Sequence, residues 1–115
     1  MITEPMDIIT GRVIAGKNKG RILGFPTANI VLNADLPGGV YSGSVRTVKG
    51  SYRAAIFIGP ERIFEAHLLD FSGDLYGQEI QVEIGEKLRD IRKFESDEDL
   101  KKQIGVDVQM IRNSH

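Results

Sequence analysis

Four groups of residues in this 115-residue chain have types and spacings that could do chemistry. The first is GRVIAGKNKGRILGF, which holds Gly11, Gly16, Gly20 and Gly24 together with Lys17, Lys19 and Arg21. Glycines let backbone N–H groups approach phosphate oxygens closely, and the cations supply the opposing charge. No glycine-lysine-serine/threonine follows at P-loop spacing and no helix opens here, so neither the Walker A nor the Rossmann pattern is met. The plainer alternative is a flexible basic hairpin loop. The second group is Thr27 and Asn29, directly after Pro26. Residues two apart on a strand share a face, so the hydroxyl and the amide converge. Two neutral oxygen ligands hold Mg²⁺ only when other groups bring charge, as nucleotide phosphates do. Otherwise the pair ends a loop by bonding its backbone.

The third group lies in FEAHLLDF, where Glu65 and His67 share a strand face with Leu69 and Phe71. If that face turns inward, Glu65 is a candidate general base; if the strand twists, both side chains stay wet. His67 has no second histidine near it and His115 is terminal, which argues against a histidine metal site. The fourth group is EKLRDIRKFES, Glu86 to Ser96. Leu88, Arg89, Ile91 and Phe94 either form an apolar lip with a cation beside it, fit to stack a flat ring, or make a solvated connector in which Phe94 staples the next helix.

These side chains need a scaffold, and the rest of the chain indicates which one. Thirteen glycines punctuate short β-branched runs, the pattern of an all-β domain with many turns. Six strands are expected. They are DIITGRVIAG with Ile9, Gly11, Val13 and Ala15 on one face, Thr27–Leu32, Gly39–Val48, Tyr52–Gly59, Arg62–Phe71 and Gln78–Gly85. A short Lys49-Gly50-Ser51 turn makes a hairpin of the third and fourth. Then the period changes. Ser96 reads as an N-cap before Asp97, Glu98 and Asp99, and Leu100, Ile104, Val108 and Ile111 recur at helical spacing. Gly105 marks a point where that helix could bend. Without helices between strands a parallel sheet is disfavoured. The expected fold is mainly β: a six-stranded antiparallel, Greek-key-like barrel with a C-terminal α-helix.

Composition narrows the classes further. The length suits a single domain over residues 1–115. A formal net charge of −1 argues against a nucleic-acid coat. The chain has no cysteine, which suits a reducing cytoplasm. Its N-terminus lacks the basic start of a signal peptide, and no window reads as a membrane span.

The four groups occur in order, and in that conjunction the chain resembles the riboflavin kinase (flavokinase) module, found alone or as the C-terminal half of bacterial bifunctional FAD synthetases. The matching pieces are GRVIAGKNKGRILGFPTANI, GVYSGSV, YRAAIFIG, FEAHLLDFSGDLYGQEIQVE and LRDIRKFESDEDLKKQIGVD, spanning Gly11 to Asp107. The resemblance implies transfer of the γ-phosphoryl group of MgATP to the ribityl 5′-hydroxyl of riboflavin, giving FMN and ADP. It implies Glu65 as catalytic base and Thr27 and Asn29 as Mg²⁺ ligands. Gly16, Lys17, Gly20 and Arg21 would join Thr27 and Asn29 around the ATP phosphates. Leu88, Arg89 and Phe94 would cover the flavin. A cytoplasmic monomer with no nucleic-acid or membrane partner is expected, and, lacking a preceding adenylyltransferase half, no FAD synthesis by this chain alone. One departure stands out: Gly59 leads to Glu65 through Pro60 with no threonine after it, where the family commonly has a longer loop with a proline-threonine pair. A wall of the site is expected to be altered or more open there. Two rival readings remain, a non-catalytic flavin sensor or carrier on the same barrel and an FMN-using split-barrel oxidoreductase.

Overall fold

The computed structural model describes residues 7–15, 23–32, 35–59 and 63–114. Six strands are formed, β1 (Asp7–Arg12), β2 (Ala28–Val31), β3 (Gly39–Thr47), β4 (Gly50–Ile58), β5 (Ile63–Leu68) and β6 (Glu79–Arg89), followed by helix α1 (Asp97–Asn113). They form one sheet in the order β1-β6-β3-β4-β5-β2, antiparallel at every pairing. Strands β3, β4 and β5 follow one another and β6 returns beside β3, which is the Greek-key order. The sheet ends, β1 and β2, meet through a bridge between Ile14 and Asn29, so the barrel is nearly closed.

Alternation decides what lies inside. Phe64, Ala66 and Leu68 of β5, Ile80, Val82 and Ile84 of β6, and Ala28 and Ile30 of β2 all point into one buried cluster. Two glycines allow the strands to approach. A Cβ on Gly11 would sit 2.8 Å from Cγ2 of Ile30, and one on Gly43 would run into the Glu83 carbonyl oxygen. Gly43 lies where the β3–β6 register shifts.

The helix covers the outside of the barrel. Its N-cap is Ser96, whose hydroxyl accepts from the Asp99 amide, and Asp97, Glu98 and Asp99 fill the first turn where acids complement the helix dipole. Ile104, Val108 and Ile111 pack on Leu23, Ala55 and Leu69, with Leu100 and Phe57 at the edge. The helix runs unbroken through Gly105, because the stripe on either side of it is anchored on the same surface. Among the described residues no helix is long and apolar enough to cross a membrane.

Several strand ends differ from the sequence expectation, β1 ending at Arg12 short of the expected Gly16, and three of the differences have a local cause. β5 stops at Leu68 rather than Phe71, since Leu69 turns away to meet the helix. The hairpin turn is Val48-Lys49, with Thr47 opposite Gly50, because the Thr47 hydroxyl accepts from the Lys49 amide and donates to the Gly50 carbonyl. β6 continues past Gly85 to Arg89, as Val40 and Tyr41 of β3 extend the ladder to Arg89 and Lys87.

Candidate active site

Pro26 ends the approach to β2 and Ala28 begins its ladder, opposite Ala66 of β5. Proline fixes its own φ, and the ladder fixes the chain from Ala28 onward. Thr27 is therefore held between two constrained neighbours. Its hydroxyl donates to the Glu65 carboxylate at 3.1 Å. Asn29 stands directly across from Glu65 in the antiparallel register. Opposed residues of an antiparallel pair share a face, so hydroxyl, amide and carboxylate gather on one patch, with Asn29 only 7% exposed.

That patch is the outer face of the sheet. Phe64 and Ala66 are fully buried in the core while Glu65 and His67 are half-buried, so the inward orientation of Glu65 allowed by the sequence does not occur. The volume of Phe64 claims the interior, and strict alternation sends its neighbours the other way. His67 is held by Pro26: its Nδ1 lies 2.7 Å from the Pro26 carbonyl oxygen, and its ring meets Phe25 edge-on at 5.4 Å.

A cavity of about 770 Å³ opens beside these residues. Its walls are residues 13–15, 26–29, 66–68 and 71–76, so Thr27, Asn29 and His67 line it. Val13, Ile14 and Ala15 are held to β2 by the Ile14 amide donating to the Asn29 carbonyl at 2.8 Å. Tyr76, an exposed residue whose backbone amide donates to the Asp74 carboxylate at 2.8 Å, also lines the cavity. In the sequence, SGDLYG stands only within one of the stretches that carry the family resemblance, with no role of its own. Its single aromatic, projecting from a short connection, was the available signal for a cavity wall.

Leu88, Arg89 and Phe94 form a second group where β6 approaches the helix. Arg89 grips Asp107 of the helix, with Nη2 at 2.8 Å and Nε at 3.0 and 3.2 Å from the carboxylate oxygens. Gln103 adds a further donor at 3.0 Å. Leu88 packs with the helix cluster. Phe94 lies under Arg92 and Arg89, whose guanidinium carbons are 4.7 and 5.9 Å from the ring centre. It lines a cavity of about 360 Å³ between residues 92–95 and the helix, which Leu88 and Arg89 do not line. Nearby, Lys87 pairs with Asp90 at 2.6 Å. The hydrogen bond first, and the charge second, hold the Asp90 carboxyl below its ordinary range.

Gly16, Lys17, Gly20 and Arg21 lie outside the described residues, as does the Pro60 loop. Among the described residues no group of three or more His, Cys, Asp or Glu could hold a metal ion. Thr27 and Asn29 offer oxygen donors of the hard type Mg²⁺ takes, and a cation there would need phosphate oxygens and water to fill its shell. The residues fit a metal carried in by a nucleotide.

Comparison with known proteins identifies the family of the chain. The family model described as Flavokinase, riboflavin kinase, matches residues 5–115. The bifunctional riboflavin kinase/FMN adenylyltransferase of Haemophilus influenzae is 41% identical over 111 residues, which is 88% of this chain and 36% of that protein. The solved riboflavin kinase of Trypanosoma brucei is similar with a TM-score of 0.68 at 30% identity, over 92% of this chain and 77% of that one. A solved structure described as a macrolide-efflux protein from Streptococcus pneumoniae reaches a TM-score of 0.86 at 34% identity, over 94% of this chain and 39% of that one. The chain spans about a third to a half of the length of the first curated relatives it matches.

Proposed function

Because the chain belongs to the riboflavin kinase family, we propose that it transfers the γ-phosphoryl group of MgATP to the ribityl 5′-hydroxyl of riboflavin, giving FMN and ADP. The observation that carries this reading is the 3.1 Å hydrogen bond from Thr27 to Glu65 with Asn29 opposite. A phosphoryl transfer between a nucleotide and an alcohol needs a place where charge is neutralised and, beside it, a group to take the hydroxyl proton. Positioning and electrostatics do nearly all the work.

Glu65 takes the proton of the attacking hydroxyl. Thr27, while donating its own proton to Glu65, keeps oxygen lone pairs for a cation, and Asn29 supplies the second oxygen. Thr27 and Asn29 would hold a Mg²⁺ ion brought in with the nucleotide, which would supply charge neutralisation to the phosphates during transfer. The cavity beside Thr27 and Asn29 receives the nucleotide, with Tyr76 in its lining. The stretch containing Gly16, Lys17, Gly20 and Arg21 follows Ala15, which lines that cavity, and it supplies amides and cations to the phosphates. Phe94 covers the isoalloxazine ring, while Leu88 and Arg89 act from beneath by holding the 90–95 segment to the helix. The enzyme works as a monomer.

A flavin carrier on the same barrel would need no carboxylate next to a metal-ligand pair, so Glu65 beside Thr27 favours the kinase. Incubating the folded chain with riboflavin, with and without MgATP, and separating flavins by chromatography tests this. FMN and ADP appearing in equal amounts only with MgATP are expected. A folded sample that binds riboflavin and makes no FMN would overturn the kinase reading and leave the carrier in its place.

A further inference from the structure

We propose that His67 is a positioning residue for the nucleotide and its metal, acting through the Pro26 carbonyl. The inference rests on the kinase reading and deepens it at one position. A carbonyl oxygen can only accept, so the imidazole nitrogen 2.7 Å from Pro26 O is the donor, and Nδ1 carries the proton. This bond fixes one peptide plane, the plane between Pro26 and Thr27. A trans peptide is rigid, so the orientation of its carbonyl sets the direction in which the next residue starts.

The arrangement leaves Thr27 little freedom. Pro26 supplies a fixed φ on one side. The Ala28–Ala66 pairing sets the other side. Between them two side chains of one strand face, Glu65 and His67, hold the two successive residues of the entry: Glu65 accepts from the Thr27 hydroxyl and His67 donates to the Pro26 carbonyl. The ring is itself held, edge-on against Phe25 at 5.4 Å, and it lines the same cavity as Thr27 and Asn29. Without the donor at Nδ1 the peptide can rotate, and the Thr27 oxygen loses its defined height above the cavity floor. Riboflavin, covered by the 90–95 segment, would not sense the loss.

Two substitutions separate the donor from the ring. His67→Asn places an amide nitrogen where Nδ1 stands and discards the ring. His67→Phe keeps a ring against Phe25 and discards the donor. Binding of MgADP, followed by calorimetry, is measured beside riboflavin binding and beside the KM for MgATP and kcat. Expected for His67→Phe is roughly tenfold weaker MgADP binding and a similar rise in KM for MgATP, the worth of one well-placed hydrogen bond. Riboflavin affinity should stay at the parent value, and His67→Asn should hold MgADP within about threefold of the parent. Parent-like MgADP binding by His67→Phe, or equal losses in both variants, would overturn the proposal. If His67→Phe fails to fold, His67→Gln, whose amide reaches the Nε2 position instead, is read against His67→Asn in the same way. A parent chain that binds riboflavin but neither binds MgADP nor makes FMN would overturn the kinase reading itself, a result distinct from a failure of the variants.

Discussion

Asp107→Asn is the most informative single change outside the catalytic patch. Asp107 is 1% exposed and accepts three contacts from Arg89 and one from Gln103. Removing one partner of a fully buried ion pair costs about 3–5 kcal/mol, since the other charge is left uncompensated. The Arg89 side chain keeps 19% of its exposure, so water recovers part of that, and about 2–4 kcal/mol is expected. For a chain of this length the unfolding entropy converts 1 kcal/mol into about 4 °C of melting temperature. Scanning calorimetry at pH 7 should therefore show Asp107→Asn melting roughly 8–16 °C below the parent. The exposed Lys102–Glu98 pair at 3.8 Å is the internal contrast: Lys102→Ala should shift the melt by about 1–3 °C. Joint replacement by Arg89→Met and Asp107→Leu should recover most of the loss, because two apolar side chains leave no buried charge. An Asp107→Asn melt within about 3 °C of the parent would refute the reasoning and return Arg89 to the flavin as a free cation.

Two further predictions concern the site and the barrel. Thr27→Val, which removes the hydroxyl and keeps the shape, should raise the Mg²⁺ concentration needed for half-maximal FMN formation, whereas Thr27→Ser should stay near the parent. Equal metal requirements in both variants would remove Thr27 from the metal site. Gly43→Ala should lower the urea midpoint by the equivalent of about 1–3 kcal/mol, as its Cβ would meet the Glu83 carbonyl and Ile56 Cγ1. Gly59→Ala, where nothing lies within 4 Å, should not lower it.

Most of the frame was legible from local pattern. The glycine-punctuated β-branched runs gave six strands, and Ser96 with the stripe from Leu100 to Ile111 gave the helix, because alternation, capping and helical period are local properties. The Thr27–Asn29 pair was legible for the same reason, since spacing by two fixes a shared face. The direction of that face was not. Whether Glu65 or Phe64 pointed inward depended on which side chain the closed barrel had room for, a property of all six strands together. Asp107 was missed as well: it sits on the helix among Ile104, Val108 and Ile111, and only the extension of β6 to Arg89 brings its partner to it. His67 was noticed for what it shares a strand with, while its bond to Pro26 joins residues 41 apart in sequence.

The central claim is that Glu65 takes the proton from the attacking hydroxyl beside Thr27. Rapid-quench kinetics of FMN formation by Glu65→Gln, with riboflavin binding measured on the same sample, tests it most directly. Expected is a transfer step slowed about 10²–10⁴-fold with riboflavin affinity at the parent value. Transfer at the parent rate would contradict the claim and move the base elsewhere.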